Sequence, residues 1–279
     1  MEVKIHPEWY QYLQRPEQDW SLTDMALLVA EQLQPKLERQ VYIHKLEDMA
    51  GNLIQRIDTA QSLQSKLDSL ADYFANELGF NGNVQDYYSP DNSLLNKVID
   101  TRTGIPITLS ILFMRLAESI GLDMYGIGFP GHFLVGITVD DSKVVLDPFN
   151  RAEQLNTDKL LELLAKSSTA VENAQQIEDY LTPLANRFII VRLLRNLKNI
   201  YIEKQEVMHA LTVIEMILSI IPESPGELRD RGMVYHHMEY TQGALTDLQR
   251  FIELEPDSNE RNVIEALIES LSEQTTSLH

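Results

Sequence analysis

The chain has 279 residues, of which 44% are hydrophobic and 23% charged, enough apolar material for one large or two modest buried cores. It has no cysteine, which excludes disulfides, thiolate metal sites and thiol nucleophiles together. With 42 acidic and 23 basic side chains it carries a formal charge of −19, a field that repels phosphate backbones and anionic lipid, so no direct nucleic-acid partner is expected.

Residues 1–80 read as an N-terminal helical region that packs on the core. Ser21-Leu-Thr23-Asp offers capping groups, and Met25, Leu28, Val29 and Leu33 follow at helical spacing until Pro35. A second helix is expected over about 41–57. A third is expected over about 60–78, with an apolar stripe from Leu63 to Leu78 and Gly79 as a left-handed C-cap. The opening residues show no basic start followed by an apolar run, and no apolar stretch reaches membrane-spanning length. The expectation is a soluble cytoplasmic protein with no membrane partner.

Residues 81–165 read as a second region. A polar, turn-rich loop runs from Asn81 to Asn92, and Ser93 is placed to cap a short helix. Pro106 opens a helix that Gly121 ends, with Leu109, Leu112, Phe113, Leu116 and Ile120 on a broad buried face. The periodicity then shortens to strands at Met124–Ile127, Phe133–Val139 and Lys143–Leu146, with a turn at Asp140-Asp-Ser. Asn156 caps a further helix, Lys166 to Ala170 reads as a connection, and Thr182-Pro183 opens a long helix.

Residues 182–279 contain a repeat. Leu194 and Leu228, Tyr201 and Tyr235, Ala210 and Ala244, and Pro222 and Pro256 are each 34 apart. That period, with a small Ala at a helix crossing and Pro after the second helix, is the tetratricopeptide pattern. The units fall at about 191–224 and 225–258, and a final helix near 259–272 caps them. Gly232 fits the small position of the second unit, where the first has Lys198. Met208, Met216, Met233 and Met238 are expected in the core. Arg187, Arg192, Arg195 and Lys198 fall on one helix and read as partners for surrounding acids.

His132 follows Pro130-Gly131 at a strand entry, and Asp147 precedes Pro148 at a strand end. Adjacent antiparallel strands bring these two within mutual reach. A carboxylate that orients an imidazole is the base half of nucleophilic catalysis, and it is also a common way to satisfy a buried histidine. The histidines show no paired ligand spacing, so no metal and no other cofactor is expected.

Asn81-Gly-Asn, Asp86-Tyr-Tyr, Asn92-Ser-Leu-Leu-Asn-Lys-Val, Arg102-Thr-Gly-Ile-Pro-Ile-Thr-Leu, Gly126-Ile-Gly-Phe-Pro-Gly-His-Phe-Leu-Val and Asp147-Pro-Phe-Asn together resemble the bacterial regulators of sirC expression. In that family a transglutaminase-like domain precedes tetratricopeptide repeats. The resemblance implies an α+β, mostly helical fold, with a papain-like core, a small antiparallel sheet and C-terminal helical hairpins. The wider superfamily uses Cys, His and Asp for acyl transfer or amide hydrolysis. His132 and Asp147 match its second and third members. The thiol would fall near Ile105–Thr108, where there is none.

These residues lead to a binding protein whose His–Asp pair recognises a protein or peptide segment, with an indirect role in gene expression. Tyr87, Asn92, Arg102 and Asn150, from the same motifs, are candidate binding contacts. The alternative is an amide or peptide hydrolase or acyl transferase, with Thr108 (Ser110 being the other nearby hydroxyl) or an activated water as nucleophile. A second alternative makes the pair a structural relic. Homo-oligomerisation is left open.

Overall fold

The computed structural model describes residues 3–58, 61–139, 142–167 and 174–277. Internal contacts divide the chain into two units, His6–Leu193 and Leu194–His279 with Met1–Ile5. The division falls within a helix, between Leu193 and Leu194.

In the first unit, α1 (Pro7–Leu13), α2 (Leu22–Leu33), α3 (Arg39–Ile54) and α4 (Leu63–Asp72) precede a single π-helical turn, Tyr73–Glu77. Ser21 caps α2 by accepting the Asp24 N–H at 3.3 Å. Gly79 has φ +76°, as its C-cap position requires. The loop predicted from residue 81 begins instead with β1 (Asn81–Gly82). After α5 (Leu95–Thr101), β2 (Thr103–Gly104) pairs with β1 in parallel. Ser93 does not cap α5: Leu94 holds the N-cap position, and the buried Ser93 Oγ has no hydrogen-bond partner. The helix ends at Arg102 in the left-handed region, φ 60°.

Helix α6 (Pro106–Ser119) is buried along most of its length. The strands β3 (Tyr125–Ile127), β4 (Leu134–Val139), β5 (Ser142–Asp147) and β6 (Glu153–Leu155) form an antiparallel sheet in sequence order. Strand β6 is short and largely exposed, so its sequence carries no alternation to read. Asp140 and Asp141 of the expected turn, and residues 168–170 of the expected connection, lie outside the described residues.

Alternation along the strands sends Val135, Ile137 and Leu146 into the core with Leu109, Leu112, Phe113 and Leu116 of α6. The same core takes in Leu27, Leu53, Leu70 and Phe74, with Phe74 edge-on to Phe113 at 5.2 Å. The opposite face, with Ile127, Leu134 and Val145, is covered by Leu160 and Leu164 of α7 (Thr157–Lys166) and Ile177 of α8 (Ala174–Tyr180). Thr182-Pro183 does not open a helix: Pro183 bridges Ile127, and Leu184 N–H donates to the Gly126 carbonyl at 2.8 Å. This proline extends the chain along β3, and α9 begins three residues on (Asn186–Glu203).

The second unit takes up α9 from Leu194 and continues with α10 (Val207–Ile220), α11 (Pro225–His237), α12 (Thr241–Leu254) and α13 (Arg261–Ser277). Both ends of α10 and α12 are 34 residues apart. Gln205 and Glu239, also 34 apart, both have φ 58° and make the same left-handed turn between paired helices. Ala210, Ala244, Tyr201 and Tyr235 are buried at the crossings. A Cβ on Gly232 would come within 2.8 Å of Leu248. At the matching position Lys198 is 6% exposed, with its ammonium held by Glu227 and Asp230. Met216 is buried as expected, but Met208 and Met233 are 52% and 42% exposed.

Candidate functional site

His132 sits in a turn built for it. Gly131 has φ +67°, a conformation glycine adopts without strain, and the His132 N–H closes the turn on the Phe129 carbonyl at 3.0 Å. Arg192 of α9 holds the same turn: its Nη2 donates to the carbonyls of Phe129 (3.2 Å) and His132 (2.5 Å), and its guanidinium lies 5.5 Å from the Phe133 ring centre. Burial pushes this guanidinium below its ordinary pKa. The other three members of the predicted basic set are paired with acids: Arg187 with Glu17, Arg195 with Glu227, and Lys198 with Glu227 and Asp230.

Asp147 ends β5. Val135 pairs with Leu146, so the end of β5 lies beside the start of β4. His132 Nε2 and Asp147 Oδ2 are 2.9 Å apart. Asp147 is fully buried and receives two further backbone donors on Oδ1, from Phe149 (3.1 Å) and Asn150 (3.4 Å), while Asn150 Nδ2 donates to Oδ2. A buried carboxylate is tolerable only when satisfied in this way. With Nε2 turned to Asp147, the other ring nitrogen, Nδ1, has no hydrogen bond among the described residues; in the neutral Nε2–H tautomer it carries the lone pair.

Phe149 stands edge-on to His132 at 5.8 Å, and Tyr87 edge-on to Phe149 at 6.1 Å. A Cβ on Gly82 would come 2.5 Å from the Phe149 ring, so glycine in β1 makes room for the aromatic beside the imidazole. Asn92, 3% exposed, donates to the Asp86 and Tyr87 carbonyls and accepts from Asn83. It is the scaffold of the loop that carries Tyr87.

Two candidates are placed elsewhere or otherwise engaged. The Arg102 guanidinium lies over the Phe80 ring at 4.8 Å and against Met49 Sδ, as part of the packing around α5. Thr108 is fully buried, and its Oγ1 accepts the Ile105 N–H (3.2 Å) and donates to the Asn92 carbonyl (2.8 Å). That hydroxyl caps α6. Ser110, likewise fully buried, has an Oγ without a partner. Arg192 is expected from the sequence to pair with an acid but holds backbone carbonyls instead, and Phe149 is not among the expected contacts. Phe149 stood within the Asp147-Pro-Phe-Asn motif, whereas nothing in the sequence around Arg192 marks it as reaching back to residue 132.

Among the described residues no cluster of potential metal ligands occurs and no helix is long and apolar enough to cross a membrane.

A helix-and-sheet core with a His–Asp pair at the strand ends, followed by 34-residue helical hairpins, defines a transglutaminase-like protein with tetratricopeptide repeats. The model of the transglutaminase-like superfamily matches residues 40–195, and a tetratricopeptide-repeat model matches residues 197–269. A UPF0162 protein of Xylella fastidiosa (strain Temecula1) is 31% identical over the full length of both chains. Protein SirB1 of Salmonella typhimurium is 28% identical over 92% of this chain and 95% of its own, and UPF0162 protein YchA of Escherichia coli K12 is 26% identical over the same shares. The chain belongs to this UPF0162 and SirB1 family of the transglutaminase-like superfamily. Among solved structures, a crystal structure of menin aligns with a TM-score of 0.41 at 11% identity, over 88% of this chain and 68% of that one, a likeness too slight to build on.

Proposed function

We propose that this protein works by binding a protein or peptide segment at the His132–Asp147 site, and that the repeats offer a second surface for the same or another partner. The observation that carries this reading is the division of labour around the site. The His–Asp pair is intact and the imidazole Nδ1 is left without a hydrogen bond among the described residues, while the start of α6 offers Pro106, Ile107 and a Thr108 hydroxyl already bonded on both sides. Recognition keeps a use for this pair and needs no nucleophile. The relatives' SirB1 name and the acidic charge together favour an indirect regulatory role in gene expression.

On the repeats, Tyr201, Ile202, Met233, Val234 and His237 line a hollow of about 360 Å³, with Met233 exposed in it. Such surfaces suit protein segments. Affinity capture from bacterial extract with wild type, His132→Ala and Met233→Glu tests the proposal. Each variant is expected to lose a distinct part of the wild-type profile. Three identical profiles would refute it.

One observation favours a second reading. An imidazole oriented by a buried carboxylate, with its other nitrogen free, is the geometry of a general base. Activation of water for amide or ester hydrolysis is the corresponding activity. A substrate screen comparing wild type with His132→Ala decides this, and equal background rates in both would end it.

A further inference from the structure

The rings beside His132 continue outward. Tyr88 meets Tyr87 at 5.3 Å with the two planes 77° apart, Tyr87 meets Phe149, and Phe149 meets His132. Exposure rises along the series: Tyr87 is 38% and Tyr88 71% exposed. Two large rings held nearly perpendicular on a surface form two walls of a corner. Solvent exposure of this much aromatic area costs free energy unless something covers it.

The backbone that carries Tyr87 is held in place. Asn92 fixes the carbonyls of Asp86 and Tyr87, and Asn83 Oδ1 accepts the Asp86 N–H at 3.0 Å. Asp86 and Asp91 lie on either side of the tyrosines in the chain, and neither carboxylate has an ion-pair partner among the described residues. Arg192, whose charge reaches Tyr87, has its guanidinium engaged by the carbonyls at 129 and 132. Electron-rich ring faces call for a cation, and one that donates hydrogen bonds also suits the acidic residues that flank the tyrosines in the chain.

We propose that the Tyr87–Tyr88 corner binds a lysine side chain of the partner segment and so sets the specificity of the His132 site. This rests on the recognition reading of that site and adds the chemistry of the occupant. A lysine ammonium fits because its compact charge can sit against a ring face with its stem on the second ring, and because the chain's charge of −19 draws basic segments toward it.

The test is an NMR titration of the full chain with acetyl-Gly-Lys-Gly-amide and its norleucine and glutamate counterparts, following the rings of Tyr87, Tyr88 and His132. Lysine is expected to bind about two- to fivefold more tightly than norleucine, the range for an exposed cation–π contact, and glutamate not to bind. Tyr88→Leu keeps an apolar side chain and the net charge but removes the ring. At 71% exposure it is not a folding position. This variant should bring the lysine and norleucine affinities together. Equal affinities for the two peptides in wild type, or an unchanged preference in Tyr88→Leu, would overturn the proposal. His132→Ala separates the two ideas. If it leaves lysine binding intact while Tyr88→Leu abolishes the preference, the corner stands as a site and the His132 recognition reading falls.

Discussion

Thr108 shows how a single hydroxyl can be read wrongly from its position alone. The first turn of a helix is where a nucleophile would gain most from the helix dipole, but it is also where the unpaired N–H groups need acceptors. Thr108 serves the second need, and a Cβ on Gly104 would meet its Oγ1 at 2.8 Å, so the chain is built around the hydroxyl. Replacing it by Val keeps the shape and strands both the Ile105 N–H and the Asn92 carbonyl. Thr108→Val should destabilise the protein by about 1–2 kcal/mol, and Thr108→Ser by clearly less, as measured by urea unfolding. The same argument explains Ser93: Leu94 takes the cap position, so a residue type that favours caps was a misleading guide there.

At the scale of elements, the sheet and the repeat were legible for different reasons. Strands β3 to β5 stand out as short apolar runs because layers cover both faces of the sheet, and α6 carries its apolar face in its sequence. The 34-residue period was visible in Tyr, Ala and Pro alone, and the structure extends it to the helix ends and to the left-handed turns at Gln205 and Glu239. What was not legible depended on partners distant in the chain. Pro183 bridges β3, Arg192 reaches a turn sixty residues earlier, and β1 and β2 are too short to pattern. Met208 and Met233 read as core because a repeat surface and a helix core use the same residue types. The close crossing of α11 and α12 gives a sharp test. A Cβ on Gly232 would strike the fully buried Leu248, so Gly232→Ala should cost about 1–3 kcal/mol by overpacking, measured by urea unfolding followed with far-UV circular dichroism.

For the molecule as a whole, the two units differ in the groups that report on them. Both tryptophans, Trp9 and Trp20, belong to the His6–Leu193 unit. In the repeat unit Glu227 is buried, which alone would raise its pKa. Hydrogen bonds from Arg195 and Ser224 and the charge of Lys198 outweigh that and hold it at about 2. Because the folded value lies below the ordinary one, the stabilisation is complete above about pH 5. It is lost as pH falls from about 4.5 toward 2, with a size on the order of 2 kcal/mol. Urea unfolding between pH 6 and pH 3 should show the repeat transition weakening in circular dichroism. Glu227→Gln should remove that component of the pH dependence at the expense of lower stability at neutral pH. An identical pH profile in the variant would contradict the assignment.

Asp147 holds the Phe149 and Asn150 amides with one oxygen and the imidazole with the other. One carboxylate therefore answers to two masters, the turn and the histidine. Removing the acid would release two backbone amides of the turn together with the imidazole. The acid is thus part of the architecture of the turn, whatever use the imidazole is put to.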